Sequence, residues 1–481
     1  MILKPSACEG CPFHRRSKWY VPDEYVEGAE VLILSQAPGA DEEAGRRVTD
    51  YDGGHRTYEP CAPAPLTGVT GYELGRKYLP LAGLERGVNV SLANPIRCRP
   101  DNSNELPPLK DKELRKAIEH CQREYYRPPA STRLVVAEGA YALYASTGED
   151  GTESPGHKIS RGIEGWRGWL LPWNPPPRPR MTFNNVWTPS STSGSTISVL
   201  ATFHLSFLFR SPWYTPVSQR DWSKVQAVLK GTWPEPFPQI ESSPPEVWPK
   251  VSSFDSEFDP GDRLVRYSLA RRDRQGVPSL WVVERDAHKV PLTVPPTITT
   301  AFHHVEADLD HLGKLLGHHV VELKIEDTMY EHSCLHADLD HDLDFLGSLY
   351  ARTNRWKHLL RTNPRVYAGG DALGTWDSHV TLQAELERDP RVKKVYYGYQ
   401  LPLAGIIHRA RSYGLRVIPE RVEQALESMA GLQADATLAA QSHLGWPINL
   451  GSSQQVSHEL YNVEGVHLNP ISGRVRGAPR A

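Results

Sequence analysis

The sequence has no apolar run near the ~18–20 residues that a membrane-spanning helix requires. Its opening residues, Met1-Ile2-Leu3-Lys4-Pro5-Ser6-Ala7-Cys8, lack the hydrophobic region of a secretory signal, so the expected setting is a reducing cytoplasm, or host cytoplasm if the chain is viral. An excess of one charge is missing too: 54 Lys and Arg stand against 57 Asp and Glu, for a net charge of −3. That balance excludes a broadly basic coat for nonspecific nucleic-acid binding and leaves room only for a local groove. Cysteine is scarce, with six residues at 8, 11, 61, 98, 121 and 334, and a reducing compartment makes metal ligands or free thiols of them rather than disulfides. No internal repeat appears, so a repeat architecture is excluded. What remains is 39% hydrophobic, with 13 Trp, 20 Tyr and 20 His over 481 residues. That is ample for real cores, and the length implies two to four domains.

Short apolar runs recur in the first part: Glu30-Val31-Leu32-Ile33-Leu34-Ser35 before the turn Ala37-Pro38-Gly39, then Val88 to Leu92, Leu134 to Ala137 and Ile197 to Ala201. With a helix expected over Lys110–Tyr126, the pattern predicts an α/β domain with a parallel sheet, its function at the carboxyl ends of the strands. Asn174 to Gly194, rich in Pro, Ser and Thr, reads as a surface insertion. Prolines at 234, 236, 238, 244, 245 and 249 mark a linker. The expected division is 1–232, a linker over 233–250, a second α/β domain over 251–399, and a mostly helical 400–481.

In the second α/β domain, Phe254-Asp255-Ser256-Glu257 ends a strand, and i, i+2 spacing turns both acids to one face. Alone, that pattern also describes a solvated acidic turn. His303-His304-Val305-Glu306-Ala307-Asp308 offers another acid at the head of a helix, and Tyr367-Ala368-Gly369-Gly370-Asp371 sets Tyr and Asp one turn apart. Clustered carboxylates suit Mg²⁺ or Mn²⁺, and two such ions ~3.5–4 Å apart can activate water against a phosphodiester.

These segments resemble the three exonuclease motifs of family A DNA polymerases. Asp255 and Glu257 match the first, Asp308 the acid of the second with His304 where the family has Asn, and Tyr367 and Asp371 the third. Ile325 to Met329 and His341 to Leu346 resemble the linking segments. The resemblance implies a ribonuclease-H-like fold, two metals on the four acids, and Tyr367 orienting the attacking water. Pro402 to Ala404, Ala410 to Val417, and Pro447 to Gln455, the last containing an Asn-x-x-Ser-x-x-Gln segment, are similar to the family's thumb. The palm and fingers are not in this sequence, so the expectation is an exonuclease with no polymerase activity alone, partnered by a separate chain that carries them, as in a split phage or other viral polymerase.

Cys8-Glu9-Gly10-Cys11 with Cys98 and Cys121 makes a Cys₄ set that could hold Zn²⁺ or an iron–sulfur cluster, and the spacing does not choose. Cys61 and Cys334 read as bystanders. Ser35-Gln36-Ala37-Pro38-Gly39-Ala40-Asp41-Glu42, Asn94 before Cys98-Arg99-Pro100, and Phe203-His204-Leu205-Ser206 resemble the iron–sulfur, family 4-like uracil-DNA glycosylases over roughly Cys8 to Leu229. The resemblance implies a 4Fe–4S cluster on Cys8, Cys11, Cys98 and Cys121. It also implies a pocket for a flipped uracil built from Gln36, Gly39, Glu42, Leu66 and Asn94, with His204 stabilising charge on the departing base. Gln36 stands where the family has Glu, Leu205 where it has Pro, and Leu66 where it has a stacking Phe, so uracil binding is better supported than excision. The DNA partners implied are single-stranded 3′ ends and uracil-containing strands, in replication or repair. A non-catalytic DNA-binding or uracil-sensing adaptor is the alternative.

Overall fold

The computed structural model describes residues 2–103, 105–125, 128–149, 162–176, 184–188, 197–243, 245, 249–260, 263–284, 299–309 and 324–461. The chain divides into two units, Met1–Arg409 and Ala410–Ala481.

The apolar runs of the first part form a sheet. β1 (Val31–Leu34), β2 (Val90–Ala93), β3 (Leu134–Glu138) and β5 (Ser198–Thr202) are parallel in the order β2-β1-β3-β5, and β4 (Leu170–Pro172) closes the edge antiparallel to β5. β2 starts later than the sequence suggests, because Val88 sits in a turn and is 60% exposed. Both faces of this sheet are covered, which is why its strands are apolar throughout instead of alternating. Leu32, Leu34, Val135 and Ala137 face Ile118 of α1 (Lys112–Tyr125) and Leu143 of α2 (Ala140–Thr147). Val31, Ile33, Leu134 and Val136 face Tyr78 and Trp222, the latter on α3 (Thr215–Leu229).

At the carboxyl ends this second face changes character. Leu34 pairs with Ala93 and with Ala137, so Asn94, Ser35, Glu138 and Thr202 follow as one row across four parallel strands. All four are polar, yet none is more than 2% exposed.

The second sheet contains β6 (Ile240–Glu241), β7 (Val251–Phe258), β8 (Leu264–Arg272), β9 (Pro278–Glu284), β10 (Thr299–Phe302) and β11 (Lys324–Asp327), ordered β6-β9-β8-β7-β10-β11. β7, β8 and β9 are antiparallel, whereas β10 and β11 continue parallel to β7. This is a ribonuclease-H-like mixed sheet. Three helices accompany it: α4 (Thr328–Leu335), α5 (Leu343–Tyr350) and α6 (Pro364–Arg388). Two serines clip α6 to the sheet, Ser253 Oγ donating to Ala372 O at 2.7 Å and Ser268 Oγ to Ala368 O at 2.8 Å.

Two stretches differ from their sequence reading. The proline-rich segment contributes β6, which lies at the sheet edge, where a chain rich in proline is tolerated. Within the expected surface insertion, Val186 and Trp187 are buried at 7% and 6% exposure, a correction to that reading; 177–183 and 189–194 lie outside the described residues. The local Pro/Ser/Thr composition concealed one anchoring pair of large apolar side chains.

The two sheets share packing. Leu346, Leu349 and Leu382 join the core of Leu170 and Trp222, and Asn354 Nδ2 donates to Leu170 O and Trp187 O at 2.9 Å each. Buried Lys224 donates to Ser348 O at 2.6 Å, satisfying a carbonyl near the end of α5.

In the second unit, α7 (Pro419–Leu444) ends at Gly445, whose φ of 79° is left-handed and whose N–H bonds Gln441 O at 2.8 Å. The Asn-x-x-Ser-x-x-Gln segment closes on the first turn of α8 (Ser453–Tyr461), with Asn449 N–H donating to Gln455 Oε1 at 2.8 Å. No described helix is long and apolar enough to cross a membrane.

Candidate active sites

The first site lies on the second sheet. β7 turns Asp255 and Glu257 to one face, and α6 brings Asp371 over them. One ligand oxygen from each lies within 4.8 Å of the others, and among the described residues this is the His/Cys/Asp/Glu group that meets that spacing. Burial, then Asp371, Asp308 and Glu257 in that order, push the Asp255 carboxyl well above its usual range. Glu257 is pushed up to about 7 by burial and by Asp371. Crowded, partly desolvated carboxylates of this kind favour a bound cation. Asp255 Oδ2 is covered and has no hydrogen-bond partner among the described residues, and every donor is oxygen, so the residues fit Mg²⁺ or Mn²⁺.

Asp308 stands just outside this trio. It accepts a hydrogen bond from Ser256 Oγ, and burial pushes its carboxyl up to about 7. His304, the irregular residue of the second motif, has a left-handed φ of 64°. Asn and His are among the non-glycine residues enriched in that region, which gives a physical reason for one replacing the other. The linking segments act as caps: Asp327 accepts from Met329 N–H at 2.8 Å and Asp342 from Phe345 N–H at 2.9 Å.

Two residues at this site were not read from the sequence. Lys357 Nζ lies 2.6 Å from Asp371 Oδ1 and 3.3 Å from the Tyr367 hydroxyl. Trp356 Nε1–H donates to the same Asp371 oxygen at 2.6 Å. The Trp356 ring occupies a slot lined by glycine: a Cβ on Gly370, Gly374 or Gly347 would lie 2.3, 2.4 or 2.7 Å from it. The only warning in the sequence was Gly369-Gly370 in the interior of a helix, where glycine is unfavourable without a packing reason. Lys357 and Tyr367 also line a cavity of about 350 Å³, whose other wall includes Phe203 and Tyr214 of the first half.

The second site is at the carboxyl ends of the first sheet. Gly39 N–H donates to Glu42 Oε2 at 2.5 Å and Leu66 N–H to Glu42 Oε1, so Glu42 clasps two loops together. Burial pushes its carboxyl up to about 7. Leu66, with a left-handed φ of 56°, is held in that strained backbone by Glu42 and by Arg86, which donates to Leu66 O at 2.5 Å. Gln36 is half-buried beside the turn. Asn94 is buried, and its Nδ2 has no partner among the described residues. His204 caps the short helix Leu205–Leu208 from the end of β5. Gly139 is required here, because a Cβ would lie 3.0 Å from that of His204. Ser35 and Glu138, from the same polar row, were not singled out from the sequence.

Cys8, Cys98 and Cys121 are buried, Cys11 half-buried, and none is in a disulfide. Burial pushes the Cys98 thiol up to about 12 and Cys121 to about 11, and each registers the charge of other members of the set. A Cys₄ set of this kind can hold Zn²⁺ or an iron–sulfur cluster. Beneath them, Arg97 and Asp23 form a buried ion pair at 2.5 Å.

No family model matches the chain. It is 34% identical over 97 residues to the type-4 uracil-DNA glycosylase of Pyrobaculum aerophilum, covering 20% of this chain and 39% of that protein. It is 30% identical over 100 residues to DNA polymerase I of Chloroflexus aurantiacus, covering 21% of this chain and 11% of that one. The chain thus spans well under half the length of either relative, and its likeness divides between the two groups. Among solved structures, Brucella melitensis NrnC bound to pGG aligns with 35% of this chain and 89% of its own, at 21% identity and a TM-score of 0.28.

Proposed function

We propose that the chain is a metal-dependent 3′→5′ DNA exonuclease joined to a uracil-reading, glycosylase-like domain. The observation that carries this reading is the convergence of Asp255, Glu257 and Asp371 within 4.8 Å, with Asp308 beside them. These acids would hold two divalent ions, which when bound supply a nucleophilic water and neutralise charge on the leaving 3′ oxygen. Tyr367, hydrogen-bonded by Lys357, is placed to orient that water. The cavity shared with Phe203 and Tyr214 would receive the terminal base.

In the first half, Asn94 would pair with the uracil edge, and Cys8, Cys11, Cys98 and Cys121 would hold a 4Fe–4S cluster that ties the N-terminus to α1. Uracil excision is the less supported step, since Gln36 supplies no carboxylate. A separate chain with palm and fingers is the expected partner. α7 supports this by leaving Leu426, Met429, Leu432 and Leu438 between 61% and 67% exposed.

Lys357 favours a second reading. Its ammonium already neutralises Asp371, as it would in an adaptor that binds DNA without cutting it. One experiment separates the two: anaerobically prepared protein incubated with 5′-labelled uracil-containing and uracil-free strands, with and without Mg²⁺. Stepwise shortening only with Mg²⁺ supports the exonuclease, abasic product supports excision, and binding with neither product supports the adaptor.

A further inference from the structure

The last turns of α1 are fastened to the segment that carries Cys8. Cys121 and Tyr125 are one turn apart, at i and i+4, so one face of the helix presents both. His120 Nε2 lies 2.9 Å from Ala7 O, a carbonyl that can only accept, so the imidazole donates and pins the residue before Cys8. The Tyr125 hydroxyl lies 3.1 Å from Cys8 Sγ. Its ring is held by aromatic and cationic neighbours: the Tyr20 ring centroid is 5.3 Å away, and the Arg97 guanidinium carbon sits 5.7 Å over it. Arg97 is fixed in turn by its buried pair with Asp23.

Between a free thiol and a phenol, either atom could donate. Metal binding removes that choice, because a coordinating thiol is deprotonated and its sulfur can then only accept. The geometry points to Tyr125 as a positioning residue of the cysteine set: its O–H donates to the metal-bound Cys8 sulfur, draws negative charge from it and makes it a weaker nucleophile. The bond forms with either metal, whereas its redox consequence rests on the 4Fe–4S reading above. Reduction adds negative charge to a cluster and its sulfurs. A donor on Cys8 therefore stabilises the reduced form more than the oxidised form and raises the reduction potential.

The test compares the full chain as wild type, Tyr125→Phe and Tyr20→Phe, all prepared anaerobically. Tyr125→Phe keeps the ring and removes only the O–H. Potentiometric titration followed by visible absorbance should shift its one-electron equilibrium about tenfold toward the oxidised form, equivalent to about 59 mV lower, with Tyr20→Phe near wild type. Alkylation by iodoacetamide, located by mass spectrometry, reads the same bond whichever metal is present. Cys8 should react about tenfold faster in Tyr125→Phe, with Cys98 unchanged. An unchanged potential in a brown Tyr125→Phe protein, equal alkylation of Cys8, or the same changes in Tyr20→Phe overturns the assignment. A colourless zinc protein whose Cys8 alkylates faster in Tyr125→Phe upholds the hydrogen bond and removes the cluster reading instead.

Discussion

The indole N–H of Trp356 and the ammonium of Lys357 both bond Asp371 Oδ1, each at 2.6 Å. Adjacent residues in the chain thus fix the orientation of the one acid that reaches the trio from α6. Partners of metal-binding carboxylates commonly set affinity as strongly as the ligands' own geometry does.

Trp356→Phe keeps the ring in its glycine slot and removes only the N–H. It should weaken Mn²⁺ or Mg²⁺ binding by about 10- to 100-fold with little loss of fold, as read by metal titration beside a thermal melt. Gly370→Ala should behave oppositely, destabilising the protein by about 1–3 kcal/mol or more, because its Cβ would sit 2.3 Å from the ring. Equal metal affinity in Trp356→Phe would remove the indole from the account.

Burial pushes the Glu138 carboxyl up to about 8, with Tyr78 the titratable side chain that registers its charge. The folded state thus keeps a proton that the unfolded chain releases near its ordinary pKa of about 4.3. Stability from this group is greatest at low pH, falls as pH rises from there to about 8, and then levels off. Gln at this position does not titrate. Denaturation midpoints of Glu138→Gln relative to wild type should therefore climb across pH 5 to 8, within a few kcal/mol. A difference independent of pH contradicts the buried, unpaired carboxyl.

Anaerobic protein should be brown, and Cys98→Ser should lose the visible absorbance together with most of its thermal stability. A colourless preparation carrying one zinc per chain would contradict the proposed cluster, since Zn²⁺ is d¹⁰.

The period of two made Asp255 and Glu257 legible as a pair, and the period of 3.6 did the same for Tyr367 and Asp371. Apolar runs with both faces buried gave the parallel sheet. Lys357 was not legible, because a lone lysine opening a single 3-10 turn (Lys357–Leu359) has no pattern until α6 folds against it. Ser35 and Glu138 were hidden similarly: their meaning comes from parallel register, which aligns strand ends far apart in sequence. Trp187 was lost in a stretch whose average composition is that of a surface loop.

The central claim concerns the carboxylate trio, and the most direct measurement is single-turnover degradation of a 5′-labelled single strand in Mg²⁺. Wild type should produce a ladder that shortens from the 3′ end. Asp255→Ala should slow it about a thousandfold, the rate equivalent of several kcal/mol of metal-based stabilisation. A ladder of equal rate in Asp255→Ala, or one that persists in EDTA, would contradict the account.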